Sequence, residues 1–195
     1  MKISSVLIAL AVALSLSSTA NAEIKEKSGY VGASIGYAGM DKGGFDGYGK
    51  DKNSTSYGIY GGYRFNKYFA LEGRYTSLGQ YDLVEPGING AKTEAEYSAI
   101  TANAIGLFPL GGSNWELMGQ IGLGNGRYKF SGGENANGRD VVYTIGVGAR
   151  WHIKPAFTVQ LGLDGYKFHV NDDGLPEAKF STNVGVVQLA GQWNF

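Results

Sequence analysis

The last eleven residues read Gly185-Val186-Val187-Gln188-Leu189-Ala190-Gly191-Gln192-Trp193-Asn194-Phe195. One parity of this stretch is Gly185, Val187, Leu189, Gly191, Trp193 and Phe195; the other is Val186, Gln188, Ala190, Gln192 and Asn194. Side chains of a strand alternate between two faces, so the segment has one apolar or small face and one mostly polar face. In a soluble sandwich the apolar face points inward. In a membrane barrel the pattern is inverted and that face meets lipid.

The same period recurs upstream. Tyr143, Ile145, Val147, Ala149, Trp151 and Ile153 share a face opposite Thr144, Gly146, Gly148, Arg150 and His152. Phe157 to Asp164, Trp115 to Leu123, Tyr57 to Phe65 and Phe69 to Thr76 alternate likewise, and Ser28 to Gly39 and Ala95 to Phe108 do so less regularly. That makes eight strands. Their connections alternate in length. Asn66-Lys67, Pro109 to Asn114 and Lys154-Pro155 are short, whereas residues 40–54, 79–94, 131–139 and 171–180 are longer and polar. Short turns on one side and long loops on the other are expected of a transmembrane barrel, with the turns in the periplasm and the loops outside. Tyr63, Phe65, Tyr68, Phe69, Phe108, Trp115, Trp151, Phe157, Trp193 and Phe195 all fall near the short-turn ends, where amphipathic rings suit a membrane–water interface. The expected fold is all-β, an eight-stranded antiparallel up-and-down transmembrane β-barrel.

The N-terminus and the composition fit that reading. Lys2, the apolar run Val6 to Leu16 and the small-x-small site Ala20-Asn21-Ala22 have the form of a secretory signal, so residues 1–22 are expected to be removed and the barrel domain to span 23–195, beginning at Glu23. The apolar run is shorter than the roughly 20 residues that span a bilayer. With 17 basic and 17 acidic residues the chain carries no net charge, so no nucleic-acid partner is indicated. There is no cysteine, which excludes a disulfide scaffold in an exported protein. No segment after the signal could serve as a transmembrane helix, and a spanning chain without helices must close its sheet to satisfy every backbone polar group in lipid.

The ending from Gln188 to Phe195 resembles the C-terminal assembly signal of bacterial outer-membrane proteins: Gln188 at its polar position, Trp193 at its apolar position and Phe195 as the terminal aromatic, with Ala190 where glycine is usual. The mature chain is similar in plan to the OmpA-like and OmpX-like eight-stranded barrels of Gram-negative bacteria, without the peptidoglycan-binding domain that OmpA proteins carry after the barrel. The resemblance implies residence in the outer membrane among its lipids and lipopolysaccharide. It also implies delivery by periplasmic chaperones to the barrel-assembly machinery, and loops that contact host or phage surfaces. A monomer is expected, since eight strands suffice to close a barrel.

The inward parities hold Arg64, Glu72, Arg74, Glu116, Arg150 and Asp164. Such a barrel is only wide enough for side chains to fill, and charges there must be paired. These residues are expected to form an ionic network that plugs the lumen of a structural, surface-interacting anchor. A small ion or solute channel is the alternative. An outer-membrane lipid-modifying enzyme stands third: His169 lies near the outer end of strand seven and Ser181 could approach from the next strand, but no His-x-Ser motif is present, and His152 sits beside a short turn on the wrong side. No enzymatic activity and no cofactor or metal are expected. Asp41, Asp46, Asp51 and Asn171-Asp172-Asp173 offer oxygen ligands for calcium but match no EF-hand loop and are read as solvated loop acids, Gly43 to Gly49 lacks the Gly-Lys-Ser/Thr of a phosphate loop, and Asn53-Ser54-Thr55 carries little weight as a glycosylation site in a bacterial protein.

Overall fold

A computed structural model describes residues 26–40, 53–84, 92–131, 136–169 and 181–195. It contains eight strands: β1 Ser28–Met40, β2 Asn53–Asn66, β3 Phe69–Val84, β4 Lys92–Pro109, β5 Trp115–Ser131, β6 Ala136–Lys154, β7 Phe157–His169 and β8 Ser181–Asn194. Each pairs antiparallel with its sequence neighbours, and β8 returns to β1 through a register running from Tyr30↔Asn194 to Met40↔Val184. The barrel is closed. No edge is left, so every strand finds a partner on both sides, as a lipid environment demands. The expected signal segment 1–22, with Ala20, Ala22 and Glu23 at its cleavage site, lies outside the described residues.

Burial is inverted relative to a soluble protein. Ile35, Ile59, Ile100, Ile121, Leu123, Ile145, Val147 and Leu189 are between 53% and 66% exposed, while Glu116, Arg150 and Arg74 are at most 2% exposed. The outward apolar band has aromatic margins at both ends. At the short-turn end, Tyr63, Phe65, Tyr68, Phe69, Phe108, Trp193 and Phe195 are exposed, and Trp115 stacks on Trp151, its register partner, at 5.6 Å. The opposite margin, not anticipated from the sequence, is made by exposed Tyr37, Tyr57, Tyr75 and Tyr143. From Tyr143 to Trp151, eight steps of about 3.4 Å on a strand tilted about 40° give a band of about 21 Å, near the ~25 Å of an outer-membrane barrel.

The strands run further than the alternation reaches. Residues 79–84 continue β3, 92–94 open β4, Ser131 ends β5 and 136–139 open β6, all within stretches expected to be loop. The cause is physical: above the membrane both faces of the wall meet water, so the period of two in hydrophobicity fades although backbone pairing continues. The short turns occupy Lys67-Tyr68, residues 110–114 and Pro155-Ala156. In β3 a bulge inserts Leu78 between the pairs Ser77↔Ser98 and Gly79↔Tyr97. Gly79 takes φ +88°, and a Cβ there would meet the Ser54 side chain and stand 2.8 Å from the Thr55 carbonyl oxygen. Only glycine fits both demands. Leu78 keeps the inward parity of Glu72, Arg74 and Thr76 and is fully buried, and the bulge brings Gly79 onto the same inward face, opposite Tyr97.

Candidate functional site

The site is the filled lumen, and glycines make room for its larger side chains. In the β1–β2 ladder Tyr30 stands opposite Gly62 and Tyr60 opposite Gly32. A Cβ at Gly62 would collide with the Tyr30 ring, and one at Gly32 with the Tyr60 ring. Each tyrosine therefore lies flat across its neighbour strand. The two rings meet edge to face at 6.3 Å and carry guanidinium groups above them: Arg74 lies 4.8 Å from the Tyr60 ring and Arg150 lies 5.7 Å from that of Tyr30.

Near the short-turn end, Arg64 of β2 grips Glu116 of β5 with two parallel bonds, Nη1 to Oε1 at 3.0 Å and Nη2 to Oε2 at 2.9 Å. It also donates to the carbonyl oxygens of Asn66 and Lys67, so the bridge crosses the lumen and ties down the β2–β3 turn. A bidentate guanidinium–carboxylate pair is among the strongest of side-chain hydrogen-bonded contacts. Around Glu116 stand His152 Nε2 at 3.3 Å and Arg150 Nη1 at 3.8 Å. Arg150 donates from Nε to Gln160 at 2.9 Å, and the other ring nitrogen of His152 shares a hydrogen bond with Thr158, which accepts in turn from Asn194.

The next layer is built on Glu72, Arg74 and Asp164. Arg74 Nε donates to Glu72 Oε1 at 2.8 Å; its Nη2 is equally close to that oxygen but angled away from a hydrogen bond. Tyr30 donates its phenolic proton to Glu72 Oε2 at 3.2 Å, and Arg150 Nη2 approaches the same oxygen at 3.9 Å. Asp164 of β7 takes Arg74 Nη1 at 3.2 Å and Gln120 at 2.8 Å, and it also accepts from Gln188. Three guanidinium groups and three carboxylates thus form one balanced network across β2, β3, β5, β6 and β7.

Two apolar clusters flank it. Tyr30, Tyr60, Ala70, Ile105, Leu107, Met118 and Ala190 fill the lumen beside the network. Toward the long-loop end, Ala38, Leu78, Tyr97, Ala99, Val142, Tyr166, Phe168, Val184 and Val186 make a second cluster, in which Phe168 meets Tyr97 edge to face at 5.8 Å. Every member is at most 8% exposed. Alternation in the sequence does not mark this outer apolar layer.

All six charged residues singled out from the sequence are buried and joined in one network. Tyr30, Gln120, Gln160, Gln188 and His152 also belong to it. Their inward parity could have marked them, but alternation alone does not separate a working partner from filler. Of the residues expected to form a C-terminal assembly signal, Gln188 and Ala190 face the lumen, and Trp193 and Phe195 lie exposed on the outer face. Backbone register sets His169 opposite Ser181, but the side chains of both lie outside the described residues. So do Asp41, Asp46, Asp51, Gly43 to Gly49 and Asn171-Asp172-Asp173.

A closed, side-chain-filled, lipid-facing barrel of eight strands defines an integral outer-membrane protein. Residues 8–187 match the family model for the outer membrane protein beta-barrel domain, and the chain belongs to that family, a resident of the bacterial outer membrane. Solved structures agree on the fold. Neisserial surface protein A is 17% identical with a TM-score of 0.62, covering 86% of this chain and 97% of its own. Ail, the attachment invasion locus protein of Yersinia pestis, is 19% identical at 0.56, covering 88% and 100%. OprG from Pseudomonas aeruginosa is 13% identical at 0.55, covering 89% and 99%. No curated protein matches the sequence.

Proposed function

We propose that the protein is a structural anchor of the outer membrane: a barrel plugged by its own side chains that carries its outer connections at the cell surface as contact sites. The observation that carries this reading is the continuity of the filling. A charge-balanced network crosses the lumen from Arg64 to Asp164, and the outer apolar layer of Leu78, Val142, Phe168 and Val184 lies over it. Ions entering from outside would first have to wet an apolar constriction and then part paired charges, each step costly in a medium of low dielectric. A surface role is supported by fold and exposure. Ail, which shares the fold, has been crystallised in complex with the heparin analogue sucrose octasulfate. Contacts with host surfaces, phage or lipopolysaccharide belong to the same reading, as does the expected delivery by chaperones and the assembly machinery with Gln188, Ala190, Trp193 and Phe195 as signal.

The barrel acts as a monomer, and no catalytic role is assigned to His169 or Ser181. Liposome swelling tests the reading. Vesicles containing the folded protein should swell in small sugars and amino acids no faster than empty vesicles, and they should still do so with Arg74→Ala. Size-dependent swelling by the unmodified protein would favour the small-channel alternative.

A further inference from the structure

On the outward face of the long-loop half, the cations whose side chains are described fall in one sector. Arg127 lies on β5, Arg139 on β6 and Lys167 on β7, all exposed. Arg127 and Arg139 stand directly opposite each other in the ladder. Like charges facing across an antiparallel pair weaken a sheet, so this placement asks for an anion between them. Among the residues whose side chains are described, neither has a carboxylate within 4 Å, and the backbone register sets Glu96 of β4 opposite Lys129.

A second feature lies directly below on the same strands. A shallow apolar concavity of about 890 Å³ opens on the outer wall of β3 to β6. Its floor is small (Gly73, Ala102 and Ala104), and its sides are Ile121, Leu123 and Tyr143. The row Ala102, Leu123 and Tyr143 lies four residues below the arginine pair, about 14 Å along the strands. Tyr143, opposite Lys167, marks the margin of the apolar band between the two.

We infer that β3 to β6 form a binding site for a phosphate-bearing lipid of the outer leaflet. The Arg127–Arg139 pair takes its phosphate, and the concavity takes one of its chains. Guanidinium groups present planar forks that match phosphate oxygens, and Lys167, on the row of Tyr143 below them, can extend its ammonium part of the way toward the same phosphate on its apolar stem. The inference deepens the anchor reading and rests on its orientation, with the short turns in the periplasm; it does not depend on whether the lumen conducts.

The test is a titration by native mass spectrometry of the folded protein with bis-phosphorylated lipid A and with its monophosphorylated form, using unmodified protein, R127A/R139A and, as a control cation at the short-turn end, K154A. Folding of each is checked by heat-modifiable gel mobility. Loss of the arginine pair should weaken binding of the bis-phosphorylated lipid at least tenfold, with K154A unchanged. Removing a phosphate from the lipid should weaken binding to the unmodified protein but not weaken R127A/R139A further. Equal affinity of folded R127A/R139A would overturn the site. So would full competition by millimolar inorganic phosphate, which would assign the pair to a free anion.

Discussion

At the scale of single residues, the most telling contact is the bidentate salt bridge between Arg64 and Glu116. Glu116 is fully buried and is approached by Arg64, Arg150 and His152. Removing its carboxylate strands cations in the lumen, and breaking a buried pair by deleting one partner costs about 3–5 kcal/mol. Glu116→Ala should therefore lower unfolding stability by about that amount in urea titrations followed by tryptophan fluorescence. Arg64→Ala should also destabilise, and the double variant should lose clearly less than the sum, because the two residues act as one unit. The six charges were legible because parity alone puts a residue inside or outside a barrel. Tyr30 was not, because it belongs to the weakly alternating β1 and its role depends on Gly62 opposite, a relation set by register. His152 was recognised as inward, but its approach to Glu116 required the β5–β6 pairing.

Among elements, the strands diverge most from what the sequence suggested at the outer ends of β3 to β6. Alternation reports the contrast between lipid and lumen and stops at the membrane surface, whereas the ladder continues to Val84↔Lys92 and Phe130↔Ala136. The bulge at Leu78 was equally hidden, since an extra residue looks like the end of a strand when only the period is read. Its consequence is that Leu78, a member of the outer apolar layer, and Gly79 after it stand on the same inward face. Gly79→Val would place a branched side chain at positive φ and against Ser54. Refolding of that variant into detergent micelles should give a smaller heat-modifiable fraction than the parent, with the shortfall absent in a Gly61→Ala control, where a Cβ has its nearest neighbour at 3.5 Å.

For the molecule as a whole, the decisive feature is that outside and inside have exchanged chemistries. The outward band is apolar between two aromatic margins, and the lumen holds paired charges with apolar layers beside and above them. The fold was legible because one closed sheet imposes a single rule, period two with apolar side outward, on every strand. The filling of the lumen was half legible: the polar half appears as inward charges, while Val142, Phe168 and Val184 lie beyond the stretches where alternation could be read. On the proposed reading, this filling leaves no path for ions. Folded protein should be reconstituted into planar bilayers at neutral pH and its current recorded under applied voltage. A plugged barrel gives a flat trace, with no stable steps above the bare bilayer; steady, reproducible single-channel steps would mean that the lumen holds a water path.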